Sequence, residues 1–239
     1  MKKITIKTAL FISIGLICID WLQTIIETIF EIPSIAKFLK LNLGESLPLT
    51  SIYILINGTV VFLIVYCLLR LSGEKLGELG FNRLKLGKQI MIGALFGLII
   101  CIIDLFLLSP IFDSLFPQSE SESSLIQGMF SNIYFFPIWI FISIFKGGFI
   151  EELWRIFVLT RFEKVFKKLG LVFALIIGSI TFGLGHAYQG TSAIFTIAII
   201  GFLYALVYLR KRNAVEAVTA HAVFDLIMIT LGFIIYSSQ

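Results

Sequence analysis

The sequence predicts an all-α polytopic membrane protein, on three observations. Of its 239 residues 58% are hydrophobic and only 14% are charged, and the mean hydropathy is +1.00. Apolar runs of about 20 residues, the helical length that crosses roughly 30 Å of hydrocarbon, recur along the chain. The net charge of +4 is small, and the basic residues fall between apolar runs rather than in a patch, which excludes nucleic-acid binding. Cys18, Cys67 and Cys101 are an odd number, each inside an apolar run, without CxxC spacing or a neighbouring histidine; they read as packing or lipid-facing residues.

Seven spans account for the runs. The first covers residues 6–30; it follows Lys2 and Lys3, yet continues past Asp20 without an Ala-x-Ala cleavage pattern, so it is a retained helix rather than a secretory signal. The second covers 49–71, the third 89–112, and the fourth begins near Gly128. The fifth covers 171–187, the sixth 192–209 and the seventh 214–236. Residues 1–125 thus hold three helices and their loops, and residues 126–239 hold the last four, within a single membrane-embedded domain.

The fourth region needs a break, because residues 128–168 as one straight helix would run about 60 Å. Pro137 and the Gly147-Gly148 pair are the places for it. The expectation is a membrane helix up to Phe145 and a second helix over 149–166. Between the second and third spans, Leu76, Leu79, Phe81, Leu84 and Leu86 alternate with charges while Gly77, Gly80 and Gly87 weaken any helix; this stretch is expected along the membrane interface.

Lysine and arginine set the orientation. Lys2, Lys3 and Lys7 precede the first span, and Arg70, Lys75, Arg83, Lys85 and Lys88 lie around the second loop. Arg161, Lys164, Lys167 and Lys168 precede the fifth span, and Arg210, Lys211 and Arg212 separate the last two. With one crossing per span these groups share a side. The amino terminus is then cytoplasmic and the carboxyl terminus outside, with Lys37, Lys40 and the acidic 113–124 loop opposite the basic groups.

Charge inside apolar runs points to function, since ionisable groups at membrane depth cost a few kcal/mol each by insertion scales. The principal cluster is Glu151-Glu152-Leu153-Trp154-Arg155, just after the glycine pair. Its plainest role is an ion pair, Arg155 lying i+4 from Glu151 and i+3 from Glu152. One arginine neutralises one carboxylate, leaving the other to find a proton, a cation, a histidine or water. The two histidines of the chain fall in Phe182-Gly183-Leu184-Gly185-His186 and His221-Ala222-Val223-Phe224-Asp225, the latter placing His221 and Asp225 on one helix face. Either histidine alone is more simply a buried ring bonded to a neighbour. Two carboxylates and two histidines on separate helices together make a water-activating site.

Glu-Glu with a nearby Arg, then Phe-x-x-x-His, then His-x-x-x-Asp, in that order on successive membrane helices, resembles the CPBP family, also called Abi-like: the CAAX-protease and bacteriocin-processing glutamic intramembrane endopeptidases. The likeness covers residues 145–231, the catalytic core, and its specificity lies in the ordered combination. It implies an endopeptidase in a bacterial cell membrane that hydrolyses a peptide bond of a peptide or protein substrate, with no cofactor or metal. Glu151 would be the general base on a water also held by His186. His221 and Asp225 would stabilise the oxyanion, and Glu152 with Arg155 would hold the first motif in shape. Asp225 donates a hydrogen bond only if protonated and otherwise orients His221.

Two features depart from a simple transfer. The family has three residues between the second Glu and the Arg, whereas Leu153 and Trp154 are two, which rotates Arg155 by about 100°. Counted along ideal helices from the basic side, Glu151 lies about 15 Å deep, His221 about 11 Å and His186 about 20 Å.

Competing readings are weaker. No Ser or Cys sits in a nucleophile context near either histidine. Glu, His and His would suit zinc, but there is no HExxH. The resemblance also spans non-catalytic bacteriocin-immunity or scaffold proteins of the same fold. A transporter would need repeats or paired broken helices, which the sequence lacks. Asp20, Glu27, Asp104 and Lys146 are further intramembrane charges, expected to pair across helices, and Trp21 and Trp139 are expected as interfacial anchors.

Overall fold

A computed structural model describes residues 4–12, 14–15, 47–118, 130 and 132–236, and among these there is helix and no strand. Five stretches are long and apolar enough to cross a membrane: Ile54–Ser72, Leu86–Leu115, Ile133–Leu184, Thr191–Lys211 and Ala214–Tyr236. Most of the first predicted span lies outside the described residues, together with Cys18, Asp20, Trp21, Glu27, Lys37 and Lys40.

Helix α1 spans Leu47–Ser72. Helix α2, Leu86–Ile103, continues through a wide π turn at Asp104–Leu108 into α3, Ser109–Leu115. After a short turn at Ile133–Phe135, α4 covers Phe136–Ile142 and runs into a π-helical segment, Ser143–Glu151. Helix α5 is Glu152–Leu184, α6 is Thr191–Lys211 and α7 is Ala214–Tyr236.

The continuous run of α5 is two helices. Lys167 has φ 57° and ψ −143°, and the rings of Phe162 and Phe173 stack with centroids 5.9 Å apart, although eleven residues of straight helix would separate them by about 16 Å. The chain folds back at Lys167, between the helix expected over 149–166 and the span expected from 171. Gly170 makes the reversal possible, since a Cβ there would sit 2.4 Å from the Phe162 carbonyl oxygen.

No break occurs at Gly147-Gly148, contrary to expectation. The helix passes through the pair as the π segment. The missing side chains are used for close approach instead: a Cβ on Gly148 would lie 2.7 Å from that of Ala222 on α7. Gly93 and Gly97 let α2 lie equally close to α7, where Cβ atoms would meet the carbonyl oxygens of Glu216 and Ala220 at 2.5 Å. Small residues at helix contacts are how apolar helices pack tightly when lipid supplies no hydrophobic drive between them.

The first half of α5 is the centre of the bundle. Leu153, Ile156 and Phe157 are fully buried and Leu159 nearly so, so this helix is enclosed all round. The outer helices present the reverse pattern, with Leu95, Ile102 and Phe106 of α2 and its π turn exposed, an apolar exterior suited to lipid. Trp139 is not an interfacial anchor: it is buried against Phe130 and near Phe233. Asp104, buried in its π turn, accepts a hydrogen bond from Ser109 Oγ at 2.8 Å rather than pairing with a lysine. Cys67 and Cys101 are free thiols, the first exposed and the second buried.

The basic loops meet at one end. Arg161 donates to both Glu74 oxygens at 2.7 and 2.6 Å, and Lys164 donates to Glu74 at 2.7 Å. Arg212 forms a fork to Glu163 at 2.7 and 2.5 Å. The segment expected along the interface forms a single turn, Leu76–Leu79, closed by Gly80 at φ 96°, whose carbonyl accepts from Ala214 N at the start of α7. At the opposite end Ser192 Oγ donates to Asp113 at 2.5 Å.

Candidate active site

The π segment places the two glutamates on different partners. Inserting a wider turn before α5 rotates the residues that follow, and such bulges concentrate at functional sites. Glu152 is fully buried and ion-paired with Arg155, while Glu151 points away and receives Lys146 Nζ at 2.8 Å on Oε1. Arg155 therefore takes the i+3 partner. Lys146, expected to pair across helices, instead pairs within its own segment and is the cation that the second carboxylate required.

Helix α7 brings the third motif against this pair. His221 Nδ1 lies 2.8 Å from Glu152 Oε1, and its Nε2 faces Glu151 Oε2 at 3.8 Å and Asp225 Oδ1 at 3.5 Å. A carboxylate only accepts, so the Nδ1 nitrogen bears hydrogen. The two longer contacts exceed the usual length of a direct hydrogen bond. The depth difference between Glu151 and His221 counted on ideal helices is absent, because the π segment and the packing of α7 bring them to one level.

Gly147 makes that packing possible. A Cβ there would stand 2.0 Å from Asp225 Oδ2 and 3.6 Å from His221 Nε2, so the Asp225 carboxylate rests on bare backbone.

The second motif enters from the end of α5. His186 lies just past the helix, in a turn, rather than inside a span as expected. Its Nδ1 is 2.8 Å from the Phe182 carbonyl oxygen; a carbonyl cannot donate, so Nδ1 carries the hydrogen. The Phe182 ring meets His186 edge-on at 4.9 Å and His221 edge-on at 5.8 Å, and the Arg155 guanidinium lies 4.2 Å above it.

The site has a buried layer and an open one. His221, Arg155 and Glu152 have side chains 5%, 7% and 0% exposed, whereas Glu151, Asp225 and Lys146 keep 21%, 23% and 24%. The Glu151 side chain is therefore partly open to solvent and that of Glu152 is not. Lys146 stands where a divalent cation on Glu151 Oε1 would have to sit, and among the described residues no three His, Cys, Asp or Glu side chains form a group suited to a metal ion.

Tyr204 of α6 was not visible as a site residue. It is fully buried, stacked on His221 at 4.3 Å with 18° between the planes, and its hydroxyl has no partner among the described residues. Nothing in the α6 sequence separates it from other aromatic residues in an apolar run; only the packing of α6 on α7 reveals it.

Residues 132–227 match a family model described as type II CAAX prenyl endopeptidase Rce1-like. Over that stretch the CPBP resemblance carried by the three motifs stands. No curated protein and no solved structure matches the chain.

Proposed function

We propose that this chain is an intramembrane glutamic endopeptidase that hydrolyses a peptide bond of a membrane-associated peptide or protein. The observation that carries the reading is the pairing of a partly exposed carboxylate, Glu151, through its Oε2 with the inward-held His221 Nε2 across 3.8 Å. The family match, whose printed description is a CAAX prenyl endopeptidase, supports the same reaction class.

In this mechanism a water enters between Glu151 Oε2 and His186 Nε2. Glu151 takes its proton as the oxygen attacks the scissile carbonyl carbon. The oxyanion that forms is stabilised by N–H from His221 Nε2, whose ring is fixed by Glu152 at Nδ1 and by Tyr204 on its face. Collapse of the tetrahedral intermediate breaks the C–N bond, and the proton held on Glu151 passes to the leaving amine. His221 performs this role as imidazolium, with both nitrogens donating. Asp225, 3.5 Å from Nε2, supports that charge and orients the ring. Lys146 secures Oε1 so that Oε2 faces the water.

This reading needs no metal or cofactor, and it assigns residues 126–239 as the catalytic core behind three amino-terminal helices. With seven spans the basic loops face the cytoplasm, the amino terminus is cytoplasmic and the carboxyl terminus is outside, in a bacterial cell membrane. The test is cleavage of quenched peptides, with and without a prenylated carboxyl-terminal cysteine, by purified protein in detergent. Activity that persists with chelator and disappears in Glu151→Gln is expected; undiminished cleavage by Glu151→Gln overturns the mechanism.

A further inference from the structure

We infer that the basic end of the bundle holds a second binding site, for the headgroup of an anionic phospholipid. A cavity of about 390 Å³ opens there between the start of α2 and the α6–α7 turn, and Lys85, Lys88, Gln89, Lys211 and Arg212 line it.

The charge in it is uncompensated. Arg212 is committed to Glu163, and the one carboxylate in the wall, Glu216, is ion-paired with Arg210 and bonded by Asn213 Nδ2 at 3.2 Å. Lys85, Lys88 and Lys211 have no ion pair or hydrogen-bonded side-chain partner among the described residues. Three ammonium groups around one hollow are a site for phosphate oxygens.

Gln89 fixes part of the cavity wall. Gln89 is 7% exposed, and its amide nitrogen donates to the carbonyls of Asn82 and Leu84, which fixes the orientation of the amide.

The position favours a lipid over a soluble phosphate. Leu84 and Leu86, flanking Lys85, are 76% and 44% exposed. Apolar side chains interleaved with lysines belong at the headgroup and acyl boundary, where a lipid reaches the cavity with its chains in hydrocarbon. The site lies at the amino end of α7, seven residues before His221, but its occupancy does not depend on the peptidase reading.

The experiment is native mass spectrometry of the purified full chain with phosphatidylglycerol or phosphatidylcholine, beside thermal unfolding with each lipid. Wild type is expected to retain phosphatidylglycerol preferentially. K85Q, K88Q and K211Q are each expected to weaken retention roughly fivefold, and the triple variant on the order of a hundredfold, at near wild-type unfolding temperature without lipid. A control with Lys167→Gln and Lys168→Gln, basic residues on the same side outside the cavity, is expected to bind normally. Equal loss in that control, equal retention of phosphatidylcholine, or normal binding by the triple variant would each overturn the site. Protection by inorganic phosphate equal to that by phosphatidylglycerol would overturn the lipid as its occupant.

Discussion

The imidazole of His221 is held at Nδ1 by a glutamate from another helix, Glu152 Oε1 at 2.8 Å, with both side chains out of solvent. That bond gives the adjacent glutamates separate work. Glu152 is spent on Arg155 and His221 inside the bundle, and of the two only Glu151 is partly exposed.

Glu151→Gln is therefore expected to lower peptidase activity roughly a hundred- to ten-thousand-fold while the protein accumulates and unfolds like wild type. Glu152→Gln is expected to lose stability as well, by about 3–5 kcal/mol, because Arg155 is left buried without its counter-charge. Paired activity and thermal-unfolding measurements separate the two. Equal destabilisation by both would make the pair purely structural.

His186→Ala removes the ring of the second motif and is expected to abolish cleavage without preventing membrane insertion. Its bond to the Phe182 carbonyl is local to the end of its own helix. Loss of activity only in proportion to lost protein would count against a chemical role.

Gly147→Ala is expected to cost about 1–3 kcal/mol and most of the activity, since the new methyl would overlap the Asp225 carboxylate. Combining it with Asp225→Ala relieves the overlap, so stability is expected to recover while activity does not. A double variant that remains as unstable as Gly147→Ala would place the strain elsewhere.

Tyr204 separates stacking from hydrogen bonding. Tyr204→Phe keeps the ring on His221 and removes a buried hydroxyl with no partner among the described residues, so stability is expected to hold or rise and activity to persist. Tyr204→Leu leaves His221 free to tilt and is expected to lower kcat more than it raises KM. Identical kinetics in the two variants would remove the stack from the mechanism.

The Glu74 clasp outside the membrane predicts acid sensitivity. Burial pushes its carboxyl upward, but the hydrogen bonds and charges of Arg161 and Lys164 outweigh this and hold it below its ordinary value of 4.5. A depressed folded-state pKa means that the unfolded chain binds the proton more readily. The contribution is full above about pH 4.5 and is lost as pH falls through the folded value. Thermal unfolding against pH is expected to show this loss in wild type and not in Glu74→Gln, which should also be about 3–5 kcal/mol less stable at neutral pH, with Arg161 buried and unpaired.

Helix content and membrane character were legible in the sequence because hydrophobic run length is a one-dimensional property. The chain reversal at Lys167 falls in the interval expected between two spans for the same reason. The motifs were legible too: Glu151, Glu152, His221 and Asp225 are charged or polar where only a partner justifies them, and the structure brings these four together. The behaviour of Gly147-Gly148 was not, since glycine serves equally to break a helix and to admit a neighbour, and which use applies depends on what lies opposite.

By itself, then, the sequence determined that this is a helical membrane chain and which ionisable residues are set within its apolar runs. Tertiary structure alone decided their partners. A π segment, invisible to residue periodicity, turned Glu151 toward Lys146 and Glu152 toward Arg155, and the packing of α6 on α7 put Tyr204 against His221. Spacing along a helix states which residues share a face. Which partner occupies that face is fixed only when other helices, distant in sequence, close against it.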